Sequence, residues 1–380
     1  MFGEQIKKAE NIILKVAGGI GRNIVGTVVA RNLKNAYPDK KLIVLASCPD
    51  IFIKNPHIDR VINMGQAYYF YEDYMMDGKS VIVDVEPYHH FDYIYRNKSL
   101  AECWCDMIGI PCDNIKPEII FSDSELKMAQ LYLGKFDKEM VLLHHTGGKI
   151  PNDKTEKEEI TAKAGMYKRS LPREVTQAVV DALITKGFMV GCIQHENQFL
   201  PSGGEKINFP LRAIMALIPY AREVICIDSF IQHACAVFNK KALVLWGGTN
   251  PKVLGYKEHQ NVTRTVCDTP MCHRPNSYLF DFEPTGFMWD CPHDDICMDY
   301  DAKEIIKEFD KLTGGKNGEE RKPEDRTRAK SRKDTDTSGV EKKDTRATKS
   351  VSTSKKGGLD GSSHSTGEKI PESVGADRTS

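Results

Sequence analysis

Residues 224–236 read Val-Ile-Cys-Ile-Asp-Ser-Phe-Ile-Gln-His-Ala-Cys-Ala. Four mostly apolar residues run into the polar pair Asp228-Ser229, and an amphipathic segment follows, which predicts a strand, a turn and a helix. Such a turn points backbone N–H groups and the positive end of a helix dipole at the strand's carboxyl end, where phosphate binds. His233 lies one turn beyond Ser229 on the same face. Taken alone, the stretch is more often an ordinary capped helix with a half-buried histidine.

The same pattern recurs around this stretch. Apolar strands are predicted at 140–145, 188–193 and 242–246, and helices at 173–186, 210–219 and 302–312. Ligands of open α/β sheets bind at the carboxyl ends of the strands. Several strands of this half end in small or polar residues, namely Thr146-Gly147, Gln194 to Glu196, Asp228-Ser229 and Gly247 to Asn250. Their convergence at one edge is better evidence of a site than any one of them.

The N-terminal half also alternates strands and helices. Strands are predicted at 11–17, 41–46, 60–64 and 80–84, and helices at 22–33, 99–108 and 124–134. The first strand runs into Gly18-Gly19-Ile20-Gly21, where glycines let backbone approach a ligand closely. A dinucleotide-binding fold needs an acidic residue at the end of its second strand to bind the ribose, and this sequence has none there. A dinucleotide-dependent dehydrogenase is therefore disfavoured. The alternation predicts parallel sheets covered on both faces.

Composition limits the remaining alternatives. The 380 residues allow two domains, and 53 basic residues balance 53 acidic ones, so net charge indicates no partner. No signal peptide and no apolar run long enough to span a membrane is seen, which favours a cytoplasmic location. Residues 314–380 contain no aromatic residue and no cysteine and are rich in charged and small residues. We expect this tail to be disordered.

Four motifs, in order, make the chain resemble glycosyltransferase family 9, the ADP-heptose:lipopolysaccharide heptosyltransferases with the GT-B fold. The match spans about residues 10–312, and the motifs are Gly18-Gly19-Ile20-Gly21 with Thr27 and Tyr37-Pro38, Asn55-Pro56-His57-Ile58-Asp59-Arg60-Val61-Ile62, Asp228-Ser229 with His233 and Ala234, and Ala242 to Pro251. The resemblance implies two Rossmann-like domains, an acceptor domain over 1–135 and a donor domain over 136–313. It places the last helix, 302–312, back on the first domain.

By this resemblance, the protein transfers a sugar from a nucleotide-diphosphate sugar to a hydroxyl of a glycan or lipid-linked saccharide. The chemistry needs no cofactor, because N–H groups and a cation can stabilise the leaving diphosphate. Gly18, Gly19 and Gly21 would form the acceptor-side loop. The implied donor-binding residues are Asp228, Ser229, His233, Thr146, Gly147, Lys168, Arg169 and Glu196.

Two positions depart from the family pattern. Arg22 stands where the family has an aspartate that deprotonates the acceptor, and an arginine cannot act as a base. The groups that could replace that acid are Asp84, Glu86, His89, His90 and His145, and Arg22, His89 and His90 are the catalytic residues we predict. Phe230 replaces a glycine and narrows the pocket, which favours a sugar other than heptose.

Cysteines near the end of the second half form two close pairs, Cys267 with Cys272 and Cys291 with Cys297, inside the segment 267–297. Four thiolates can hold a structural zinc, although the spacing is looser than in most zinc sites. Free or packed thiols are an equal alternative, and a disulfide is a weaker one.

Two other classes of function stay open. Arg22 also fits a catalytically inactive protein that binds nucleotide sugars or glycans. The tail carries a small excess of basic residues, which keeps open a glycosyltransferase that acts on modified nucleic-acid bases.

Overall fold

The computed structural model describes residues 2–147, 169–196, 198–268, 270–272, 293 and 296–318. Several sequence predictions lie outside the described residues: Lys168, Cys291 and the tail from residue 319 onward. The described residues form two parallel sheets of four and six strands, flanked by helices. This confirms the predicted α/β class with two Rossmann-like sheets, while the domain boundaries at 135 and 313 stay a prediction.

The first sheet has the order β3-β2-β1-β4 and is parallel throughout. At its centre Leu14 lies between Val44 and Val83, and all three side chains are buried because helices cover the sheet. Its strands are β1 (Asn11–Val16), β2 (Lys41–Ala46), β3 (Arg60–Asn63) and β4 (Ser80–Val83).

The helices of this half begin at defined caps. Ser99 and Ser122 each form a capping box with a glutamate three residues on, which satisfies N–H groups at the helix start. The helices are α1 (Phe2–Lys8), α2 (Ile20–Ala36), α3 (Phe91–Ile94), α4 (Leu100–Ile108) and α5 (Asp123–Leu133).

The second sheet has the order β10-β9-β8-β5-β6-β7 and is also parallel. Its strands are β5 (Met140–His144), β6 (Met189–Ile193), β7 (Glu205–Ile207), β8 (Glu223–Ile227), β9 (Leu243–Trp246) and β10 (Gln260–Thr263). The helices are α6 (Arg173–Thr185), α7 (Leu211–Leu217), α8 (Phe230–Val237), α9 (Pro251–Leu254) and α10 (Ala302–Thr313). Strand β8 is central, so the turn after it lies in the middle of the carboxyl edge.

Helices α2 and α8 pack on each other, and one apolar core contains residues of both sheets, among them Leu14 and Val224. Because each helix starts at the carboxyl edge of its own sheet, their contact brings the turns after β1 and β8 together. The fold therefore brings the first glycine turn next to the Asp228-Ser229 turn.

The last helix, α10, corrects one expectation. It packs on α6 of the second half, and the ring of Phe309 meets that of Phe188 with 5.5 Å between centroids. The prediction that it returns to the first domain is wrong, because its apolar face completes the core of the second sheet. No helix in the described part of the chain combines the length and apolar character that crossing a membrane requires.

Candidate functional site

The start of α8 is held by two side chains. Ser229 caps the helix, its Oγ accepting from the N–H of Ile231 at 3.3 Å. The Nδ1 of His144, the last residue of β5, lies 2.9 Å from the same oxygen. The carboxylate of Asp228 is 4% exposed and precedes the cap. The ends of two neighbouring strands therefore fix the helix start that the sequence predicted as a phosphate site.

A cation and a glycine lie beside this helix start. Nη1 of Arg169 is 3.9 Å from Oδ2 of Asp228, a loose ion pair whose arginine is a quarter exposed. A Cβ on Gly147 would lie 3.0 Å from Cδ1 of Ile227 and 3.3 Å from Cβ of Arg169. The turn after β5 therefore tolerates only glycine without a shift, and backbone forms this wall of the site. Thr146 Oγ1 contacts the Nδ1 of His145 at 2.8 Å.

His233 is buried in a chain of hydrogen bonds. The amide nitrogen of Gln232 lies 3.2 Å from its Nε2, and Tyr256 Oη lies 2.9 Å from its Nδ1. Because an amide NH2 only donates, Nε2 accepts and Nδ1 carries the proton that Tyr256 receives. Burial lowers the pKa of His233 to about 4, against an opposing effect of Asp228. The ring is therefore neutral at pH 7.

Two more neutral histidines end β5. Burial, with smaller effects of His145 and Arg169, lowers the pKa of His144 to about 3. Burial also lowers the pKa of His145 to about 4, and the side chain of Gln194 acts in the opposite direction. With these rings neutral, Arg169 supplies the positive charge beside Asp228.

The glycine turn of the first half meets the helix start of the second. Gly18 has a φ of 93°, which favours glycine, and Gly19 precedes the first residue of α2. A Cβ on Gly21 would lie 3.0 Å from Cδ2 of His233 and 3.8 Å from Cα of Phe230. The phenyl ring of Phe230 packs edge-on against the ring of His144. The predicted acceptor-side loop and the predicted donor loop are therefore in direct contact.

Arg22 points back into the first half. Its Nη1 donates to Oε2 of Glu86 at 2.6 Å, and the guanidinium lies between the rings of Tyr88 and Trp104 at 5.6 and 5.1 Å. The arginine side chain is 10% exposed and the glutamate 31% exposed. Arg22 is thus fixed by charge and packing, and it brings a carboxylate from the end of β4 next to the start of α2.

The other predicted residues do not join this cluster. His90 caps α3 by accepting from the N–H of Asp92, and His89 is exposed beside it. Glu196 is exposed beyond β6. In the described ranges, His90 forms a potential metal-ligand group with Asp92 and Asp106, but Lys98 contacts both carboxylates and offsets part of their charge.

The thiols of Cys267, Cys272 and Cys297 do not converge on a common ligand position within the described part of the chain. Cys291 lies outside the described residues, so the four-ligand zinc site stays a prediction.

Sequence reasoning missed several contributors to the site. His144 contacts Ser229, and Tyr256 contacts His233, across 85 and 23 residues. Thr249 belongs to the predicted polar turn after β9; it is 1% exposed, and its Oγ1 has no hydrogen-bond partner among the described residues. The available signal for His144 was its position at the end of a predicted strand, just before the polar turn Thr146-Gly147.

Three solved glycosyltransferase structures share this architecture. A glycosyl transferase family 9 protein from Veillonella parvula is 12% identical, with a TM-score of 0.53 over 80% of this chain and 97% of that chain. The ADP-heptose lipopolysaccharide heptosyltransferase II of E. coli is 12% identical, with a TM-score of 0.54 over 80% and 98%. The dodecameric, iron-containing heptosyltransferase TibC of E. coli, solved with ADP-D-β-D-heptose, is 14% identical, with a TM-score of 0.55 over 81% and 76%.

Neither a protein-family model nor a curated protein matches the sequence. The structural similarities agree with the resemblance drawn from the four motifs. At these identities they establish the fold, and the chain has the GT-B fold of the family 9 heptosyltransferases.

Proposed function

We propose that the protein is a glycosyltransferase whose donor is a nucleoside-diphosphate sugar bound at the carboxyl edge of the second sheet. The observation that carries the proposal is the Ser229-capped start of α8 with Arg169 beside it. Helix N–H groups and a guanidinium together suit a diphosphate. They also stabilise the charge that grows on the diphosphate as it leaves, without a metal.

Each part of the donor has a partner in this arrangement. The diphosphate lies at the turn after β8, against the glycine backbone at 147, where no side chain intervenes. Buried Asp228 and Thr249 offer hydrogen bonds to the sugar or ribose. Because two of the similar structures are described with ADP-heptose, ADP-linked sugars are the first donors to test. Phe230 narrows the pocket and favours a smaller sugar.

Thermal shift and calorimetry with ADP-, UDP- and GDP-sugars test this donor site. A donor at a hundredfold excess over its Kd stabilises the fold by about 2.7 kcal/mol. We expect R169Q to weaken nucleotide-sugar binding about tenfold and D228N to weaken it further. R60Q is the matched control, because Arg60 lies in β3 of the first sheet, is exposed and packs on the ring of Tyr74. Binding that none of these changes affects would reject the site.

A protein that binds nucleotide sugars without transferring them is the second candidate. The first turn of α2 carries no acidic residue, and Arg22 stands there instead. Release of free nucleotide from a bound nucleotide sugar would exclude this alternative.

A further inference from the structure

Glu86 is a carboxylate of the first half that lies near the contact between the two loops, through its ion pair with Arg22. Gly21 touches His233 of the donor loop, and the next residue, Arg22, holds Glu86 Oε2 at 2.6 Å. The aliphatic part of the Arg22 side chain passes close to Gly18. A Cβ on Gly18 would lie 3.3 Å from Cδ of Arg22. The glutamate comes from the end of β4, on the same carboxyl edge as the turn after β1. A carboxylate therefore lies beside the first turn of α2, although α2 itself supplies none.

We propose that Glu86 is the general base of the transfer reaction and that Arg22 is the residue that positions it. This inference rests on the proposed function. Arg22 holds one carboxylate oxygen, while the other, Oε1, meets only a long 3.5 Å approach from the N–H of Tyr88 among the residues that the structure describes. A carboxylate with one anchored and one available oxygen can accept a proton in a fixed direction.

The other candidate bases fit less well. Asp84 is half exposed and forms a 2.6 Å ion pair with Lys15. His145 is 1% exposed and contacts Thr146, so an acceptor hydroxyl cannot reach its ring. His90 Nδ1 accepts from the backbone at α3. Glu86 combines partial exposure with a fixed position.

The step balances without a co-reactant. The Glu86 carboxylate takes the proton of an acceptor hydroxyl, and the hydroxyl oxygen forms a bond to the anomeric carbon. The bond between that carbon and the β-phosphate oxygen breaks, and the nucleoside diphosphate leaves with the electron pair beside Arg169. The proton on Glu86 then passes to water.

The test measures nucleotide release from the tightest-binding donor, with water as the acceptor, alongside the Kd of that donor. We expect E86Q to lower the release rate at least a hundredfold and to leave the Kd within twofold, since general bases contribute about 10²- to 10⁴-fold. E86D should restore part of the rate. The acidic limb of the wild-type pH–rate profile should flatten in E86Q.

E10Q is the matched control, because Glu10 forms an exposed ion pair with Lys79 at the opposite edge of the same sheet. An E86Q rate within threefold of wild type, or a rate lost in H89Q and kept in E86Q, overturns the inference. Loss of donor binding in E86Q also overturns it. A wild-type protein that binds donor and releases no nucleotide refutes the base but leaves the donor site intact, whereas one that binds no nucleotide sugar refutes both.

Discussion

Two arginine–glutamate pairs in this molecule share their main dimensions and differ in their surroundings. Arg22 and Arg212 each place a nitrogen 2.6 Å from a glutamate oxygen, on Glu86 and Glu125 respectively. The arginine side chains are 10% and 11% exposed, and the glutamates 31% and 30%. Each guanidinium also packs over an aromatic ring. By distance and burial alone, the two pairs are equivalent.

The Arg212 pair is saturated with hydrogen bonds. Arg212 donates to both oxygens of Glu125 and to the carbonyls of Asp50 and Ile120, at distances from 2.6 to 3.0 Å. Glu125 also closes the capping box with Ser122 at the start of α5. The hydrogen bonds from Arg212 come first among the causes that lower the pKa of Glu125 to about 2. This pair joins α7 of the second half to α5 and the turn after β2.

The Arg22 pair is incomplete. Nε of Arg22 is buried and has no hydrogen-bond partner in the part of the chain that the structure describes. Its Nη2 reaches the carbonyl of Val85 only at 3.4 Å. A buried group without its full complement of partners costs stability, and such groups concentrate where function requires them. The completeness of the hydrogen bonding therefore separates a structural pair from a candidate catalytic one.

The largest expected effect on stability is at the saturated pair. R212A leaves the Glu125 carboxylate and two carbonyls without their donor, and we expect it to lower the free energy of unfolding by about 2–3 kcal/mol. That is below the range for fully buried pairs, because Glu125 is partly exposed. Urea denaturation followed by circular dichroism measures it. E86Q serves as the comparison and should cost under about 1 kcal/mol. Equal losses at both sites would remove the distinction.

A smaller effect on activity is expected at the incomplete pair. R22M removes the group that orients Glu86, and we expect it to lower kcat for nucleotide release about tenfold with KM for the donor unchanged. R22K keeps a point charge without the planar fork and should recover part of the rate. Steady-state kinetics give both constants. An R22M protein with wild-type kcat would show that Arg22 only fills space.

The free energy of unfolding should depend on pH in two separate ranges, one set by buried histidines and one set by Glu125. The folded pKa values of His144, His145 and His233 lie near 3 to 4, below the ordinary 6.5. The unfolded chain therefore binds protons first as the pH falls below 6.5, and stability decreases toward pH 4. The folded pKa of Glu125 lies below its ordinary 4.5, so its contribution is complete above pH 4.5 and is lost as the pH falls toward 2.

Unfolding free energies at pH 7, 5.5, 4 and 2.5 check this. H144Q should reduce the slope of the unfolding free energy against pH, between pH 6.5 and 4, by about 1 kcal/mol per pH unit. E125Q should reduce this slope only below pH 4.5. H89Q is the control for the histidine, because His89 is exposed. A slope between pH 6.5 and 4 that H144Q leaves unchanged would contradict the assignment.

Local sequence patterns predicted most of the fold. Eight of the ten described strands follow from apolar runs between glycine, proline and polar turns, because strands of a helix-covered parallel sheet bury apolar side chains. The two strands that were missed, β7 and β10, are the edge strands of the second sheet, and they are short and largely polar. Without an apolar run, these two strands are defined by pairing with a neighbour, which no local pattern records.

The candidate site divides in the same way. Asp228, Ser229 and Gly147 were predicted because each belongs to a turn after a predicted strand. Glu86 was one of five candidate bases, and nothing in the sequence links it to Arg22, 64 residues away. Contacts between distant segments depend on how the sheets are ordered, and that order comes from the fold.

The contact between Gly21 and His233 provides a spectroscopic probe. The first turn of α2 covers the imidazole, and desolvation keeps its pKa near 4. If the two loops separated, water would reach the ring and its pKa would rise toward the ordinary value for histidine. The imidazole chemical shift of His233, followed against pH with and without a nucleotide sugar, would therefore report how often the two halves of this enzyme-like fold open.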